Sequence, residues 1–361
     1  MASTVTVQSS HQSQSRIHQY RYWWLLGVLA GVLLISITLA VIIGPVQIPA
    51  KYVWQITLSE IFTHTGGEWS KAQFNIVWLI RFPRVLLGLF VGAGLAVVGV
   101  AMQSMVRNPL ADPYLLGLSS GASVGAVAVL AFGAFTFAGV YAISFGAFFG
   151  SLFTFVLVFF LAQSNGRLGP TRLVLSGLAV SYFLSGLTSF IVLTSENRQL
   201  ARSVLGWLLG SLAGADWVDL GLPAVVLMLG TLYLVLQARA LNALIVGEET
   251  AATLGVDTTH FRRQLFLVVS LVTGIMVAVS GAIGFVGLMI PHVVRLMVGT
   301  DHRRVLPVSI FAGSIFLIWV DVIARTAFAP VELPVGVITS LLGGPFFLWL
   351  LRRQLKHRGG Q

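Results

Sequence analysis

The chain has 361 residues, of which 57% are hydrophobic and only 9% are charged, whereas a soluble domain carries about 25% charged residues. This small number of charged residues cannot cover a water-facing surface. The composition therefore predicts a membrane protein and excludes a soluble domain. The net charge of +10 does not indicate nucleic-acid binding because the basic residues lie at the ends of apolar runs, and the absence of cysteine excludes disulfides and cysteine metal sites.

The N-terminal segment 1–21 is polar and rich in Ser and Gln, which predicts a disordered cytoplasmic tail. An apolar run follows from Tyr22 to Gly44. It is long enough for a membrane span of ~20 residues and exceeds the apolar core of a signal peptide. No small-residue cleavage site follows it. We therefore assign it as the first transmembrane helix, followed by an outer loop at about 45–75.

Further apolar segments predict the remaining membrane helices. They lie at about 84–106, 115–135, 138–162, 172–193, 218–238, 264–283, 286–298, 305–326 and 334–351. The third and eighth of the resulting ten are the shortest or are interrupted by Gly and Pro. We expect an all-α polytopic membrane protein, with a single transmembrane domain over 22–354 and a cytoplasmic tail at 355–361.

The distribution of basic residues predicts the orientation. With the N-terminus in the cytoplasm and an even number of spans, 15 of the 22 Lys and Arg residues lie inside and 7 lie outside. This bias satisfies the positive-inside rule and places both termini in the cytoplasm. Arg81, Arg84 and Arg325 are exceptions, close to the outer ends of helices. Asp321 and Arg325 are spaced by one helical turn and are expected to share a helix face.

A helix break is predicted between the second and third spans. Asn108–Pro109 and Asp112–Pro113 each pair a capping side chain with a proline that suits a first helical turn. The preceding span carries Gly92, Ala96 and Gly99, small residues that let helices approach closely. The segment Ser280–Pro307 repeats this plan loosely, with a glycine eight residues before an arginine, which is a weak sign of an internal repeat.

The most polar internal stretch, about 238–263, lies between the sixth and seventh spans. Its apolar residues have the spacing of short helices broken at Gly247 and Gly255, so we expect a helical cytoplasmic loop. In the last span, Gly343, Gly344 and Pro345 predict a kink or break in the helix.

Several kinds of chemistry are missing from the sequence. A P-loop requires a lysine preceded by glycine, but Lys51, Lys71 and Lys356 follow Ala, Ser and Leu. Any ATP-driven activity therefore needs a partner ATPase. We expect no catalytic residue, resident cofactor or metal site in this chain. The seven histidines are scattered, and His292 is interpreted as a packing residue.

Taken in order, the motifs resemble those of the FecCD-type permeases, the membrane subunits of ABC importers for iron–siderophores, haem and vitamin B12. The matching stretches cover most of residues 80–353: RFPR, GAGLAVVGVAMQ…NPLADPYLLG, WLLGSL, LNALIVGEETAATLGV, GAIGFVGLMIPHVVRLMVGTDHRRVLP, DVIAR and ELPVGVITSLLGGPFF. The resemblance implies a ten-helix subunit in a bacterial inner membrane. It also implies a second permease subunit, identical or related, two ATPase subunits that hold ATP and Mg, and an extracytoplasmic binding protein.

The resemblance also implies roles for particular residues. Within the 238–263 loop it predicts contact with the ATPase, and the coupling residues are Leu244, Gly247, Glu248, Glu249, Thr250, Ala251, Leu254 and Gly255. Glu248, Thr250 and Ala251 are expected on the surface that touches the ATPase. Arg81, Arg84 and Arg325 are expected to dock carboxylates of the binding protein. Their alternative role is to anchor helices at the lipid headgroups.

Iron–siderophore import is the leading functional prediction, with cobalamin or haem import as alternatives. An ion-coupled carrier without an ATPase is disfavoured because buried acids are sparse, and Asp321 is the clearest one. A purely structural scaffold would not need an ordered coupling loop. The methionines are interpreted as packing residues and do not indicate a metal pathway.

Overall fold

The computed structural model describes the backbone of residues 2–63, 67–164, 166–196 and 198–358. Side chains are described from residue 20 to 352, apart from those at 63–66, 165, 197 and 198. Residues 359–361 of the predicted cytoplasmic tail lie outside the described part of the chain.

Helices account for nearly all regular structure. The α-helices are α1 (Ala2–Ile42), α2 (Ala50–Leu58), α3 (Lys71–Phe74), α4 (Phe82–Val106), α5 (Leu118–Phe132), α6 (Ala142–Ala162), α7 (Pro170–Thr194), α8 (Arg198–Leu208), α9 (Gly221–Leu236), α10 (Ala238–Val246), α11 (Glu248–Thr253), α12 (Thr258–Ser280), α13 (Val286–Val298), α14 (His302–Thr326) and α15 (Val335–Arg358). The 3₁₀ turns are Pro113–Leu116, Thr136–Tyr141 and Trp217–Leu220, and the π-helical turns are Ser59–Thr63 and Asn75–Arg81. A two-residue antiparallel pair, β1 (Gln163–Ser164) with β2 (Arg167–Leu168), joins α6 to α7.

The membrane helices agree with the predicted all-α polytopic fold. Among the described residues, eight helices are long and apolar enough to cross a membrane. Two shorter apolar helices, Leu118–Phe132 and Val286–Val298, correspond to the predicted third and eighth spans. The second span is longer than predicted, because the helix begins at Lys71 and runs through a π-helical turn into α4.

Helix α4 is the centre of the fold. The most apolar part of the Lys71–Val106 span is 83% buried, against 17% for the first span, so α4 is enclosed by protein and α1 faces outward. It packs against α12, α13 and α14, while α5 packs against α6 and α7. A helix that is apolar all round is expected in this enclosed position.

Glycines allow the closest helix contacts. A Cβ built on Gly99 of α4 would lie 1.9 Å from the carbonyl oxygen of Gly287 on α13. The corresponding distance from Gly92 to the carbonyl oxygen of Gly313 on α14 is 2.3 Å. Both contacts involve backbone, which cannot move aside as a flexible side chain can. The predicted role of Gly92 and Gly99 in close helix packing is therefore confirmed.

One expectation about the last span differs from the structure. The chain stays helical from Val335 to Arg358, so the helix is not broken at Gly343, Gly344 and Pro345, and the kink predicted there stays a prediction. Instead, a Cβ on Gly343 would lie 2.2 Å from the ring of Phe285, so this glycine makes room for an aromatic neighbour. At the other end, the α1 backbone is helical from Ala2. A helix propagates more easily than it starts, so the first span can extend into this polar segment. The disorder predicted for 1–21 stays a prediction.

Candidate coupling and docking sites

Helices α10 and α11 form the predicted helical loop between the sixth and seventh spans, and we call α10 and α11 together the coupling element. Gly247 joins them at φ 152°, and Gly255, at φ +82°, follows the end of α11. A side chain at either position would be strained, which explains why the two helices break there. Asp257 then starts α12 by accepting hydrogen bonds from the N–H groups of Thr259 and His260 at 3.1 and 3.0 Å.

A buried polar network fixes α10 to the membrane helices. The Oδ1 atom of Asn242 accepts a 2.9 Å hydrogen bond from the N–H of His302, and its Nδ2 donates to Asp301 at 2.7 Å. Nε2 of His302, whose side chain is fully buried, lies 2.7 Å from the hydroxyl of Ser104 on α4. Three helices, α4, α10 and α14, therefore meet at this network. This hydrogen-bond network restricts independent movement of α10.

Asp301 starts α14 and belongs to the same network. Burial alone would raise the pKa of its carboxyl group, but hydrogen bonds from Asn242 and the N–H of Arg303, with the charges of Arg303 and Arg304, hold that pKa below its ordinary value. The carboxylate stays ionised at neutral pH, so it remains an acceptor for both donors.

Glu248 fixes the start of α11. Its Oε1 atom accepts a 2.7 Å hydrogen bond from Nη2 of Arg262 on α12, and it lies 3.7 Å from Nη2 of Arg107. Arg262 also donates to the carbonyl oxygen of Leu168 at 2.9 Å. The pair of residues therefore joins the coupling element to the short β-turn between α6 and α7. Because Arg262 is buried and charged, its partner is costly to remove.

The exposed surface of the coupling element carries both apolar and polar side chains. Leu244 and Ala251 are fully buried, whereas Val246 and Leu254 are 71% and 69% exposed. The expectation that Ala251 lies on the contact surface is therefore wrong, because the first turn of α11 turns this residue inward. Glu249 and Thr250 are exposed and Glu248 is half-buried. Leu254 was among the coupling residues predicted from the sequence, whereas Val246 was not.

Arg81, one of the three arginines predicted to dock a partner, is buried. It is 4% exposed and donates hydrogen bonds to the carbonyl oxygens of Val41, Ile42 and Val46 at 2.9, 2.9 and 2.6 Å. These carbonyls belong to the end of α1 and the chain after it, where no further helical turn supplies N–H donors. Arg81 therefore caps the C-terminus of α1.

Arg84 and Arg325 share a buried carboxylate. Nε of Arg84 donates to Oδ1 and Oδ2 of Asp321 at 2.9 and 3.1 Å, and its Nη1 donates to Glu332 at 2.9 Å. Nε of Arg325 lies 3.5 Å from Oδ2 of Asp321, which confirms the predicted pairing, and its Nη2 donates to the carbonyl oxygen of Ala40. Arg84 and Arg325 are 6% and 3% exposed. We call Arg84, Asp321, Arg325 and Glu332 the outer ion cluster.

The burial of the three arginines changes the basis of the docking prediction. That prediction assumed charged groups displayed at the surface, whereas each guanidinium group binds acceptors within this chain. Within the outer ion cluster, Glu332 has the most exposed side chain, at 43%. Docking of a partner by Arg81, Arg84 and Arg325 stays a prediction.

The predicted break after the second span is confirmed. α4 ends at Val106, Arg107 adopts the left-handed conformation at φ 55°, and the next helical turn starts at Pro113. Oδ1 of Asn108 accepts from the N–H of Leu110 at 2.9 Å, and Oδ1 of Asp112 accepts from the N–H of Tyr114 at 2.8 Å. Burial raises the pKa of the Asp112 carboxyl to about 6, against the lowering effect of the Tyr114 hydrogen bond.

Three further features bear on ligand binding. The His292 ring contacts Phe346 edge-on, with 6.0 Å between centroids, as suits a packing residue. Among the described residues, no group of three or more His, Cys, Asp or Glu side chains could hold a metal ion. A cavity of about 630 Å³ lies between α8, the 3₁₀ turn at Thr136–Tyr141 and the end of α12, with Trp207 and Tyr141 in its wall.

Comparisons with known proteins place the chain among membrane permeases. Residues 32–353 match the FecCD transport family. The chain is 41% identical over 355 residues to the cobalamin import system permease protein BtuC of Halobacterium salinarum, covering 90% of this chain and 94% of that one. It is 40% identical over 341 residues to the hemin transport system permease protein HmuU of Yersinia pestis, covering 93% and 97%. A solved inward-facing structure of an ABC transporter, assigned to the metal-chelate type, matches with a TM-score of 0.78 and 29% identity, covering 91% and 99%.

Proposed function

The chain belongs to the FecCD transport family, and we propose that it forms the membrane pathway through which a bulky metal chelate is imported. It is a multi-pass permease of the ABC importer class, in which ATP is hydrolysed by a separate subunit. The chain itself is not an enzyme. The proposal concerns its substrate, its assembly and the way in which ATP hydrolysis moves its helices.

One observation supports the coupling role most directly. Asn242 of the coupling element accepts a hydrogen bond from the N–H of His302 on α14, and Glu248 accepts one from the buried side chain of Arg262 on α12. A movement of the element is therefore transmitted to α12 and α14. Its exposed apolar residues, Val246 and Leu254, supply a surface for a partner. A rigid two-helix element can transmit a rigid-body movement, whereas a flexible loop cannot.

The proposed assembly contains two permease subunits, identical or related, and two ATPase subunits that hold ATP and Mg. An extracytoplasmic binding protein brings the substrate. In this assembly Glu248, Glu249, Thr250 and Leu254 face the ATPase, while Leu244 and Ala251 hold the element to the membrane domain from within. This arrangement follows from the exposed and buried residues of α10 and α11.

The names of the relatives support the proposed substrate class. BtuC is named for cobalamin and HmuU for hemin, and the similar solved structure is of the metal-chelate type. These compounds share a metal held in a large organic ligand. An iron–siderophore complex, our leading prediction, belongs to the same class. Haem and cobalamin remain equal alternatives.

Two other classes of function have less support. An ion-coupled carrier needs titratable acids within its membrane helices, but Asp321, the one acid in the buried set of described residues, is already bound by two arginines. A purely structural membrane scaffold would not need a two-helix loop fixed to the membrane helices by buried hydrogen bonds.

Transport by reconstituted protein tests the proposal. The chain is co-expressed with the ATPase and binding protein from neighbouring genes, purified through a tag on this chain, and reconstituted into liposomes. We expect a two-to-two complex and ATP-dependent uptake of one compound among a ferric siderophore, haem and cobalamin. An ATPase variant without its P-loop lysine is the control. Uptake that persists in this variant and collapses with an ionophore would instead identify an ion-coupled carrier.

The docking role is tested by charge reversal. Arg81→Glu with Arg84→Glu should weaken capture of the binding protein at low salt while the basal ATPase rate stays the same, if these arginines meet its carboxylates. Because both side chains are buried, the melting temperature of each variant is measured beside the binding. If a folded variant kept its affinity for the binding protein, these arginines would have no docking role and would serve only the contacts observed within the chain.

A further inference from the structure

A second cavity lies beside the coupling element, where α4 ends. It measures about 210 Å³, and its wall is formed by Gln103, Arg107, Asn108, Pro109, Ile245, Arg295 and Thr300. This volume is below the ~300 Å³ of the smallest pockets for drug-sized ligands, while one water occupies ~30 Å³. The cavity therefore suits a group of a few heavy atoms with bound water, and it is too small for a metal chelate.

The wall carries two positive charges and no acidic side chain. Arg295 donates through Nη1 to Oε1 of Gln103, but its Nη2 is buried and has no hydrogen-bond partner among the described residues. Arg107 is 40% exposed, and its one ionic neighbour, Glu248, lies 3.7 Å away and is held more closely by Arg262 at 2.7 Å. Both guanidinium groups therefore have donors available for a further acceptor.

The other polar groups suit an anion as well. Asn108 uses its carbonyl oxygen to bind the N–H of Leu110, so its NH₂ group is left as a donor. Thr300 supplies a hydroxyl group to the wall. The nearby carboxylate of Asp301 is occupied by Asn242 and the N–H of Arg303, at 2.7 and 3.1 Å. Donors therefore outnumber acceptors around the cavity.

From these features we infer that the cavity between Arg107 and Arg295 binds a phosphate group. Guanidinium groups match phosphate oxygens in geometry and charge. In the orientation predicted by the positive-inside rule, this cavity lies at the cytoplasmic face, where basic pockets between membrane helices bind lipid headgroups. The phosphate comes either from an anionic phospholipid or from free inorganic phosphate. Binding does not depend on the import function proposed above.

Native mass spectrometry of the delipidated, full-length transporter tests this inference. The protein is titrated separately with phosphatidylglycerol, with phosphatidylcholine of the same acyl chains, and with inorganic phosphate. We expect tighter binding of phosphatidylglycerol than of phosphatidylcholine if the source is a lipid, or saturable binding of inorganic phosphate if the source is free. Arg107→Gln and Arg295→Gln should each lower that affinity about tenfold.

Arg239→Gln is the matched control, because Arg239 is exposed on α10 and does not line the cavity. Its affinity should equal that of the unaltered protein. Arg107 is half-exposed, so Arg107→Gln tests the site even if Arg295→Gln fails to fold. Equal binding by the unaltered protein and Arg107→Gln would overturn the inference, as would an equal loss in Arg239→Gln. If Arg107→Gln and Arg295→Gln lost binding of the ATPase subunit but kept their affinity for phosphate, the cavity would bind an acidic side chain of that subunit. This result would also overturn the inference.

Discussion

Nε of Arg84 donates hydrogen bonds to both carboxylate oxygens of Asp321, although the two residues are 237 positions apart. The pair joins α4 to α14, and Arg325 and Glu332 complete the outer ion cluster. Because Arg84 and Arg325 are both buried cations, the negative charge of Asp321 is required to balance them. The cluster therefore acts as a unit that holds the ends of the two helices together.

Asp321→Asn should destabilise the protein strongly. The change leaves Arg84 and Arg325 buried without their shared counter-charge, and breaking a buried ion pair in this way costs about 3–5 kcal/mol. We expect a clear fall in melting temperature, measured in detergent by intrinsic tryptophan fluorescence. Glu332→Gln is the control, since Arg84 keeps Asp321 as its counter-charge and the Glu332 side chain is 43% exposed, so the effect should stay within about 1 kcal/mol. Equal melting temperatures for the two variants would contradict this account of the cluster.

Gly99→Ala should also lower stability, by about 1–3 kcal/mol or more, because the added methyl group meets the carbonyl oxygen of Gly287 at 1.9 Å. Gly344→Ala is the matched control within another membrane helix. Nothing lies within 4 Å of a Cβ at that position, so helix propensity alone should leave stability unchanged or slightly raised. Denaturant titration of both variants measures the difference. A neutral Gly99→Ala would show that α4 and α13 can separate without cost.

Val246→Glu and Leu254→Glu should weaken binding of the ATPase subunit while the permease stays folded. Both side chains are exposed and apolar, so a charge there disrupts an apolar contact without entering the core. Co-purification of the ATPase measures this effect. Val331→Glu is the control, because Val331 is 63% exposed on the loop between α14 and α15, at the predicted outer face. Ala251→Trp is a poorer test, since Ala251 is fully buried and the larger ring would distort α11.

Glu248→Gln should loosen the coupling element. The change removes the charge that Arg262 binds at 2.7 Å, and loss of a charged hydrogen bond costs about 1–3 kcal/mol. We expect ATP hydrolysis to continue with less transport per ATP, measured in liposomes. Glu249→Gln is the control, because Glu249 is the next residue and its side chain is exposed. If both variants retain the same transport per ATP, the Glu248–Arg262 pair has no part in coupling.

The membrane fold and the positions of most helices could be predicted from the sequence. Helix length and apolar composition are local properties, so the eight long apolar helices, the two shorter ones, the break at Asn108–Pro113 and the two helices around Gly247 could all be predicted from the chain itself. The close-packing role of Gly92 and Gly99 was also predictable, because only a glycine lets two backbones approach so closely. Glycine and proline were ambiguous in the last span, where Gly343 accommodates Phe285 and the helix continues.

The partners of the charged residues were decided only by the tertiary structure. Spacing along one helix predicted that Asp321 lies near Arg325, but no local pattern could show that Arg84 binds the same carboxylate. Arg81 was expected at the surface and instead caps α1, because that helix end has carbonyl groups with no helical donors. Burial of Ala251 and the cavity beside Arg295 likewise depend on how distant helices pack. A buried charge in a membrane protein requires a partner of opposite charge or a hydrogen-bond acceptor or donor. The identity of that partner depends on the folded arrangement of the whole chain.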